Sequence, residues 1–218
     1  MKKILLGLLA LSAVSMAATG DSAVNARLGF DMGTKYGDYT SEGFTLLSDK
    51  GEGFGGEVAV EYLYEVMDNF SVGLGLAYQM HTDREDQTIS EGHESMTIEG
   101  AEYDSIPLYL TAEYKFVTQS GFNPYLKANL GYSFNMNSSD VKWSWKEPGS
   151  EESGTLSTDI DNGLYWAVGG GIEYNNFTVD VMYAMNKGKT TLKDEDWSDK
   201  FDDDYGRVVL SLGYRFDL

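Results

Sequence analysis

The 218-residue chain has no cysteine, only three prolines and two histidines, and few basic residues. Without cysteine it has neither a disulfide framework nor a thiolate metal site. Sixteen basic side chains against thirty-five acidic ones give a formal net charge of −19, so a negative surface repels DNA and RNA and we expect no nucleic-acid partner. The length suits one domain.

The first residues have the composition of a secretory signal. Met1-Lys2-Lys3 is a basic start, and the apolar stretch from Ile4 to Val14 is too short to span a bilayer. Small residues precede the expected cleavage after Ala17. We therefore predict a signal peptide over residues 1–17 and one domain over residues 18–218. No later run reaches eighteen apolar residues, so a membrane location requires a closed β-barrel.

From Val24 onward apolar and polar residues alternate, which predicts a β-strand. The pattern recurs seven more times, at about 54–66, 70–80, 104–116, 124–134, 163–174, 177–186 and 206–216. The connections alternate between short and long, and the long ones are 35–53, 81–103, 135–162 and 187–205. This arrangement predicts an all-β, eight-stranded antiparallel up-and-down barrel with its long loops at one end.

The apolar side chains of each strand are too bulky and too numerous for an eight-stranded lumen, as Phe70, Leu74 and Tyr78 illustrate. The opposite side of the same strand carries small residues such as Gly73 and Gly75, which leave room inside a narrow barrel. A soluble barrel of the lipocalin type would need the apolar side inward. We therefore predict that the apolar side faces lipid. On this basis Leu74→Arg is expected to destabilise the fold strongly and Thr190→Arg, in a long loop, only slightly.

Nine charged residues share the inward side in the lower half of the predicted barrel. We expect them to pair across the lumen, because isolated buried charges are costly, and so to plug it. The predicted barrel-interior charge network consists of Arg27, Glu61, Glu65, Glu113, Lys115, Lys127, Glu173, Asp180 and Arg215.

The long loops offer little catalytic chemistry. The two histidines, His81 and His93, are expected to be solvated there, no Gly-x-Ser-x-Gly elbow occurs, and the acidic runs lack EF-hand spacing. We predict no catalytic residue, no cofactor and no metal site. The loop tryptophans Trp143, Trp145 and Trp197 belong either to packed hairpin tips or to an aromatic anchor for a partner. Alternation over Val141–Lys146 predicts a further strand, paired with Thr155–Ile160.

Several segments resemble the small eight-stranded outer-membrane barrels of the OmpA, OmpX and opacity-protein type. They are Ile106–Leu110 leading to Tyr114–Phe116, Asn123–Lys127 leading to Leu130–Tyr132, and the final Leu212–Phe216. The resemblance implies the outer membrane of a Gram-negative-type bacterium, contact with its lipid and lipopolysaccharide, and recognition of the last strand by the barrel-assembly machinery. Asp217 and Leu218 follow Phe216, whereas such barrels usually end on an aromatic residue.

Three functions remain open at this point. The first is a non-enzymatic protein whose acidic loops serve structural or adhesive interaction with an extracellular partner. The second is a narrow channel for small solutes, and the third is a lipid-modifying enzyme of the membrane.

Overall fold

A computed structural model describes residues 20–37, 39–41, 44–100, 102–193 and 198–218. The secondary structure of these residues is entirely β, and they include no helix long and apolar enough to cross a membrane. The predicted signal peptide, residues 1–17, lies outside the described residues, so its cleavage stays a prediction.

Eighteen strands are present in the described residues. In chain order they are β1 (Ser22–Lys35), β2 (Tyr39–Ser41), β3 (Phe44–Leu47), β4 (Gly51–Glu52), β5 (Gly56–Met67), β6 (Phe70–Met80), β7 (Asp83–Arg84), β8 (Gln87–Glu91), β9 (Glu94–Glu99), β10 (Asp104–Lys115), β11 (Asn123–Met136), β12 (Val141–Glu147), β13 (Ser150–Ile160), β14 (Gly163–Tyr174), β15 (Phe177–Asn186), β16 (Lys189–Lys193), β17 (Ser198–Asp202) and β18 (Tyr205–Asp217).

Eight of these strands close into a barrel in the order β1-β18-β15-β14-β11-β10-β6-β5. Every neighbouring pair is antiparallel, and β1 closes the ring by pairing with both β5 and β18. The predicted fold is therefore confirmed, with strand bounds within a few residues of those expected. The two-residue turn between β14 and β15 illustrates how the sequence sets a short connection. Asn175 and Asn176 both have positive φ, as a tight hairpin of this type requires.

The barrel wall is polar inside and apolar outside, as the alternation predicts. On β6, Leu74 is 49% exposed on the outer surface, whereas Ala77 and Gln79 are buried inside. Outward aromatic residues lie near the strand ends, among them Tyr114, Phe116, Tyr174, Phe177, Tyr214 and Phe216. Such an apolar surface with aromatic flanks suits the hydrocarbon core and interfaces of a bilayer.

The long connections contain more strands than the single extra pair predicted from the sequence. Three of them contribute strands to one six-stranded sheet in the order β17-β16-β13-β12-β9-β8, and the first forms a β2-β3 hairpin. Leu47 of this hairpin packs with Ile98, Val141 and Leu192 of the sheet in a second hydrophobic core. The extracellular part is therefore an ordered structure with its own buried side.

The predicted strand around residues 141–146 exists as β12, but its pairing is only partly as expected. Val141 lies opposite Leu156 and Lys142 opposite Thr155, as predicted. The last four residues of β13, 157–160, instead pair with β16. The reason is a tight turn around Gly149 that leads β12 directly into residues 150–154, which take up most of the pairing of β12.

Candidate functional site

The centre of the lumen holds a cluster of ion pairs around Glu61. Its Oε1 lies 2.9 Å from Arg27 Nη2 and its Oε2 lies 2.5 Å from Lys127 Nζ. The Tyr109 hydroxyl donates a 2.9 Å hydrogen bond to Oε1, and Arg27 Nη1 lies 3.7 Å from Asp180 Oδ2. These residues come from five strands, β1, β5, β10, β11 and β15, so the cluster connects the barrel wall across its interior.

A second cluster lies toward the end of the barrel with the short turns. Arg215 pairs with Glu113, and its Nε lies 3.0 Å from Glu173 Oε2. Lys115 Nζ lies 2.9 Å from the same carboxylate. Eight of the nine charged residues predicted for the lumen thus take part in ion pairs, which form two separate clusters.

Glu65 departs from the prediction. Its side chain is only partly buried, and its Oε1 accepts a 3.0 Å hydrogen bond from the backbone N–H of Asn69. The reason is its position at the barrel rim, where β5 turns into β6 and the carboxylate is needed at the turn. Glu65 also borders a cavity of about 450 Å³ that opens at this end of the barrel.

A third layer of ion pairs lies nearer the extracellular end, outside the lower half of the barrel for which the charge network was predicted. Arg207 Nε lies 3.1 Å from Asp31 Oδ1, and its Nη2 lies 3.4 Å from Glu57 Oε2. Arg207 Nη1 donates 2.7 Å to Asn186 Oδ1, and Gln79 donates 2.8 Å to Glu57. Their inward position in the period-two pattern was the available signal.

The inward glycines make room for large side chains. An added Cβ at Gly75 would lie 2.3 Å from the Tyr109 ring, and one at Gly171 would lie 2.6 Å from the Tyr125 hydroxyl oxygen. The Tyr125 hydroxyl in turn donates a 2.5 Å hydrogen bond to Asp180. These glycines therefore accommodate tyrosines and leave no open crevice at the two positions.

Above the third layer, segments from three of the long connections meet over the extracellular mouth. Arg84 is fully buried, pairs with Asp203, and donates 2.8 Å hydrogen bonds to the carbonyl oxygens of Gly37 and Ser48. Thr190 donates a 2.7 Å hydrogen bond to Asp203 as well. The expectation that Thr190 is a neutral loop position is therefore wrong, because the fourth connection folds inward over the mouth here.

His81 is buried, whereas the sequence predicts a solvated loop residue. Its side chain is only 5% exposed, its ring stacks on Tyr205 at 3.9 Å, and Tyr103 packs edge-on at 4.6 Å. Burial, together with the nearby Arg207 charge, lowers the pKa of His81 well below its ordinary value. His81 follows β6 directly, so its burial results from the same inward phase that buries Ala77 and Gln79.

The loop tryptophans occupy different environments. Trp143 is partly buried against the extracellular core, and its ring lies 2.7 Å from the position of an added Cβ at Gly154. Trp145, two residues along the same face, is 39% exposed. Trp197 lies outside the described residues. Packing explains Trp143, whereas Trp145 remains available for contact.

A closed antiparallel barrel with charges inside and an apolar belt outside defines an integral outer-membrane protein of the β-barrel class. The chain belongs to the outer membrane protein beta-barrel domain family, whose model matches residues 6–216. Accordingly the protein resides in the outer membrane among its lipids.

Individual relatives are distant. The chain is 26% identical over 234 residues to the uncharacterized protein PM1543 of Pasteurella multocida (strain Pm70), covering 99% of this chain and 98% of the relative. The solid-state NMR structure of AlkL in lipid bilayers matches with 16% identity and a TM-score of 0.47, over 94% of this chain and 95% of the other. Ail of Yersinia pestis, solved with the heparin analogue sucrose octasulfate, matches with 15% identity and a TM-score of 0.42, over 91% and 100%.

Proposed function

We propose that this protein is a non-enzymatic, non-conducting outer-membrane barrel that presents its extracellular sheet for structural or adhesive interaction. One observation carries the proposal: the lumen is occupied by buried ion pairs in three successive layers, while the long connections form an ordered sheet outside. The barrel then serves as a base that holds this sheet at a fixed place on the cell surface.

The arrangement of the lumen supports non-conduction. An ion crossing the barrel would have to displace Arg27, Glu61 and Arg207 from partners that neutralise them in a region sheltered from water, which is costly. Arg84 and Asp203 then close the extracellular mouth above these layers. This favours a structural role over the alternative of a narrow channel for small solutes.

The surroundings of His81 support the non-enzymatic part of the proposal. The imidazole lies between the rings of Tyr103 and Tyr205, and a substrate would have to separate these aromatic contacts to reach it. His93 is exposed in the β8-β9 turn, where a solvated side chain is the ordinary case. Partners within this proposal are lipopolysaccharide beside the barrel, the barrel-assembly machinery at β18 during biogenesis, and an extracellular molecule at the sheet.

Single-channel recording of the refolded protein in a planar bilayer tests the proposal. We expect no steady conductance steps from the wild-type protein, with a bilayer that received empty detergent micelles as control. The matched variant is Arg207→Ala, which removes the central cation of the third layer and is expected to raise the frequency of brief openings. Steady steps from the wild-type protein at moderate salt would overturn the proposal in favour of the channel.

A further inference from the structure

The buried side of the extracellular sheet continues beyond its core as an apolar surface, from the half-buried Ile89 and Met96 to the exposed Trp145. Side chains alternate along a strand, so Met96 and Trp145 lie on the same face as the core residues Ile98 and Val141. Ile89 lies opposite Met96, and Met96 lies opposite Trp145, which forms an apolar row across β8, β9 and β12.

A row of carboxylates lies next to this apolar row, farther from the membrane. Glu91 lies directly opposite Glu94 across β8 and β9, and Glu147 follows Trp145 by two residues on the same face. All three are exposed. Directly opposed like charges destabilise a sheet, so this row is unfavourable by itself and favours the approach of cations. We name the six residues of the two rows the distal patch.

The nearest lysines do not neutralise the distal patch, because they extend from the other face of the sheet. Lys142 Nζ lies 3.4 Å from Glu99 and Lys146 Nζ lies 3.3 Å from Glu151. The acidic row therefore keeps its charge beside an exposed tryptophan. A partner complementary to this face would be cationic and amphipathic, because the face combines negative charge with apolar surface.

The spacing of the rows defines the shape of that partner. Adjacent strands are about 4.8 Å apart, so the three carboxylates and the three apolar side chains each repeat at about this interval. Residues three or four apart on a helix lie about 5–6 Å from one another, which matches. A helix lying across the strands would place one ridge of basic residues on the carboxylates and an apolar ridge on Trp145.

We propose that the distal patch binds a cationic amphipathic helix of another protein or peptide. This inference rests on the proposed function, since it names the partner class of the extracellular sheet. A second copy of this chain is a poor occupant, because the chain carries a net charge of −19 and would bring further carboxylates to the acidic row.

Binding of synthetic peptides to the full protein in zwitterionic lipid discs tests the proposal, with empty discs as the blank for lipid binding. One peptide carries lysine at every third or fourth position beside leucine, and a second has the same composition in scrambled order. We expect the patterned peptide to bind, to become helical, and to lose affinity as salt is raised. Binding of both peptides with equal affinity would overturn the proposal.

Variants locate the site. Glu91→Gln with Glu94→Gln should weaken binding about tenfold, and Trp145→Ala by a similar factor, without altering the fold. Glu151→Gln, on the opposite face, is the matched control and should leave affinity unchanged. Equal losses in all variants would mean general attraction to an acidic surface, and association of the protein with itself at the patch would also contradict the proposal. Neither result would change the absence of conductance expected for the proposed function, so the two failures are distinguishable.

Discussion

The barrel and the extracellular sheet are built from the same alternating strands but bury opposite sides of them. In the barrel, charged residues such as Glu61 and Lys127 are buried and leucines such as Leu74 face outward. In the sheet, Ile98 and Val141 are buried and lysines face outward. The strand pattern is thus common to both regions, and the surrounding medium, lipid or water, decides which side is buried.

The two regions also differ in what their ion pairs contribute. Both side chains of the Lys127–Glu61 pair are 0% exposed, whereas both side chains of the Lys146–Glu151 pair are 59% exposed. A buried pair is expensive to break because it leaves an unpaired charge behind, whereas an exposed pair is screened by water. The barrel pairs therefore fix the structure, and the sheet pairs mainly keep the surface soluble.

The largest expected effect comes from breaking one ion pair in each region and comparing the loss in the free energy of unfolding. Glu61→Ala leaves Arg27 and Lys127 without their shared carboxylate and should lower the free energy of unfolding by about 3–5 kcal/mol. Glu151→Ala should change it by less than about 1 kcal/mol. Urea unfolding in lipid vesicles measures both. Similar losses for the two variants would show that the lumen is hydrated enough to screen its charges.

Placing one charge on each outer surface tests the two media. Leu74→Arg introduces a cation into lipid and should cost about 2–4 kcal/mol. Thr190 is not a suitable control, because it is buried and donates to Asp203. Ser153→Arg, exposed on the outer face of β13 and opposite the uncharged Ser144, replaces it and should cost little. If Leu74→Arg unfolds at the same urea concentration as Ser153→Arg, the assignment of the lipid face is wrong.

The sequence was sufficient for the barrel but not for the extracellular part, and the reason is physical. Each barrel strand has ten to fourteen residues that alternate in polarity, because every strand meets the same lipid and the same lumen. Most extracellular strands are shorter, and their partners come from different connections, so local alternation identified β12 but not its full pairing.

The alternation was sufficient to place most of the lower lumen charges on the inward side, where a buried charge must find a partner. The extent of the network along the barrel axis was not predicted: Arg207 and Asp31 share the inward side with Arg27 but lie nearer the extracellular end. The burial of His81 and Arg84 depends on three connections folding together over the mouth. No sequence window contains that information.

Acid should loosen the junction between the two regions through His81. Because burial lowers the pKa of His81, the folded junction keeps the imidazole neutral, while an opened junction takes up a proton at the ordinary pKa of about 6.5. Its stability is therefore complete above that pH and decreases as the pH falls below it, by up to about 1.4 kcal/mol per pH unit until the lowered pKa is reached.

Amide hydrogen exchange of residues 81–84 at several pH values measures this loss. His81→Phe retains a ring against Tyr205 but has no titrating group, so the extra acid sensitivity should disappear in this variant. Glu102 has the opposite effect on the pH dependence, because a hydrogen bond with Asp83 and burial raise its pKa to about 7. Glu102 is present in both wild type and variant, so its contribution cancels in the comparison. Identical pH dependence in wild type and variant would exclude His81 as the cause.

The smallest expected effect is the difference in stability loss between alanine variants of two tryptophans on one face of the sheet. Trp143 packs on Gly154 and on the core covered by the β2-β3 hairpin, so Trp143→Ala should destabilise the extracellular sheet by about 1 kcal/mol. Trp145 is 39% exposed, and Trp145→Ala should change stability by less than about 0.5 kcal/mol. Limited proteolysis of the sheet in otherwise folded protein compares the two variants, since the barrel itself is protected by lipid. Faster cleavage in Trp145→Ala than in Trp143→Ala would mean that the core extends to the distal patch, whose tryptophan would then be structural rather than free to bind.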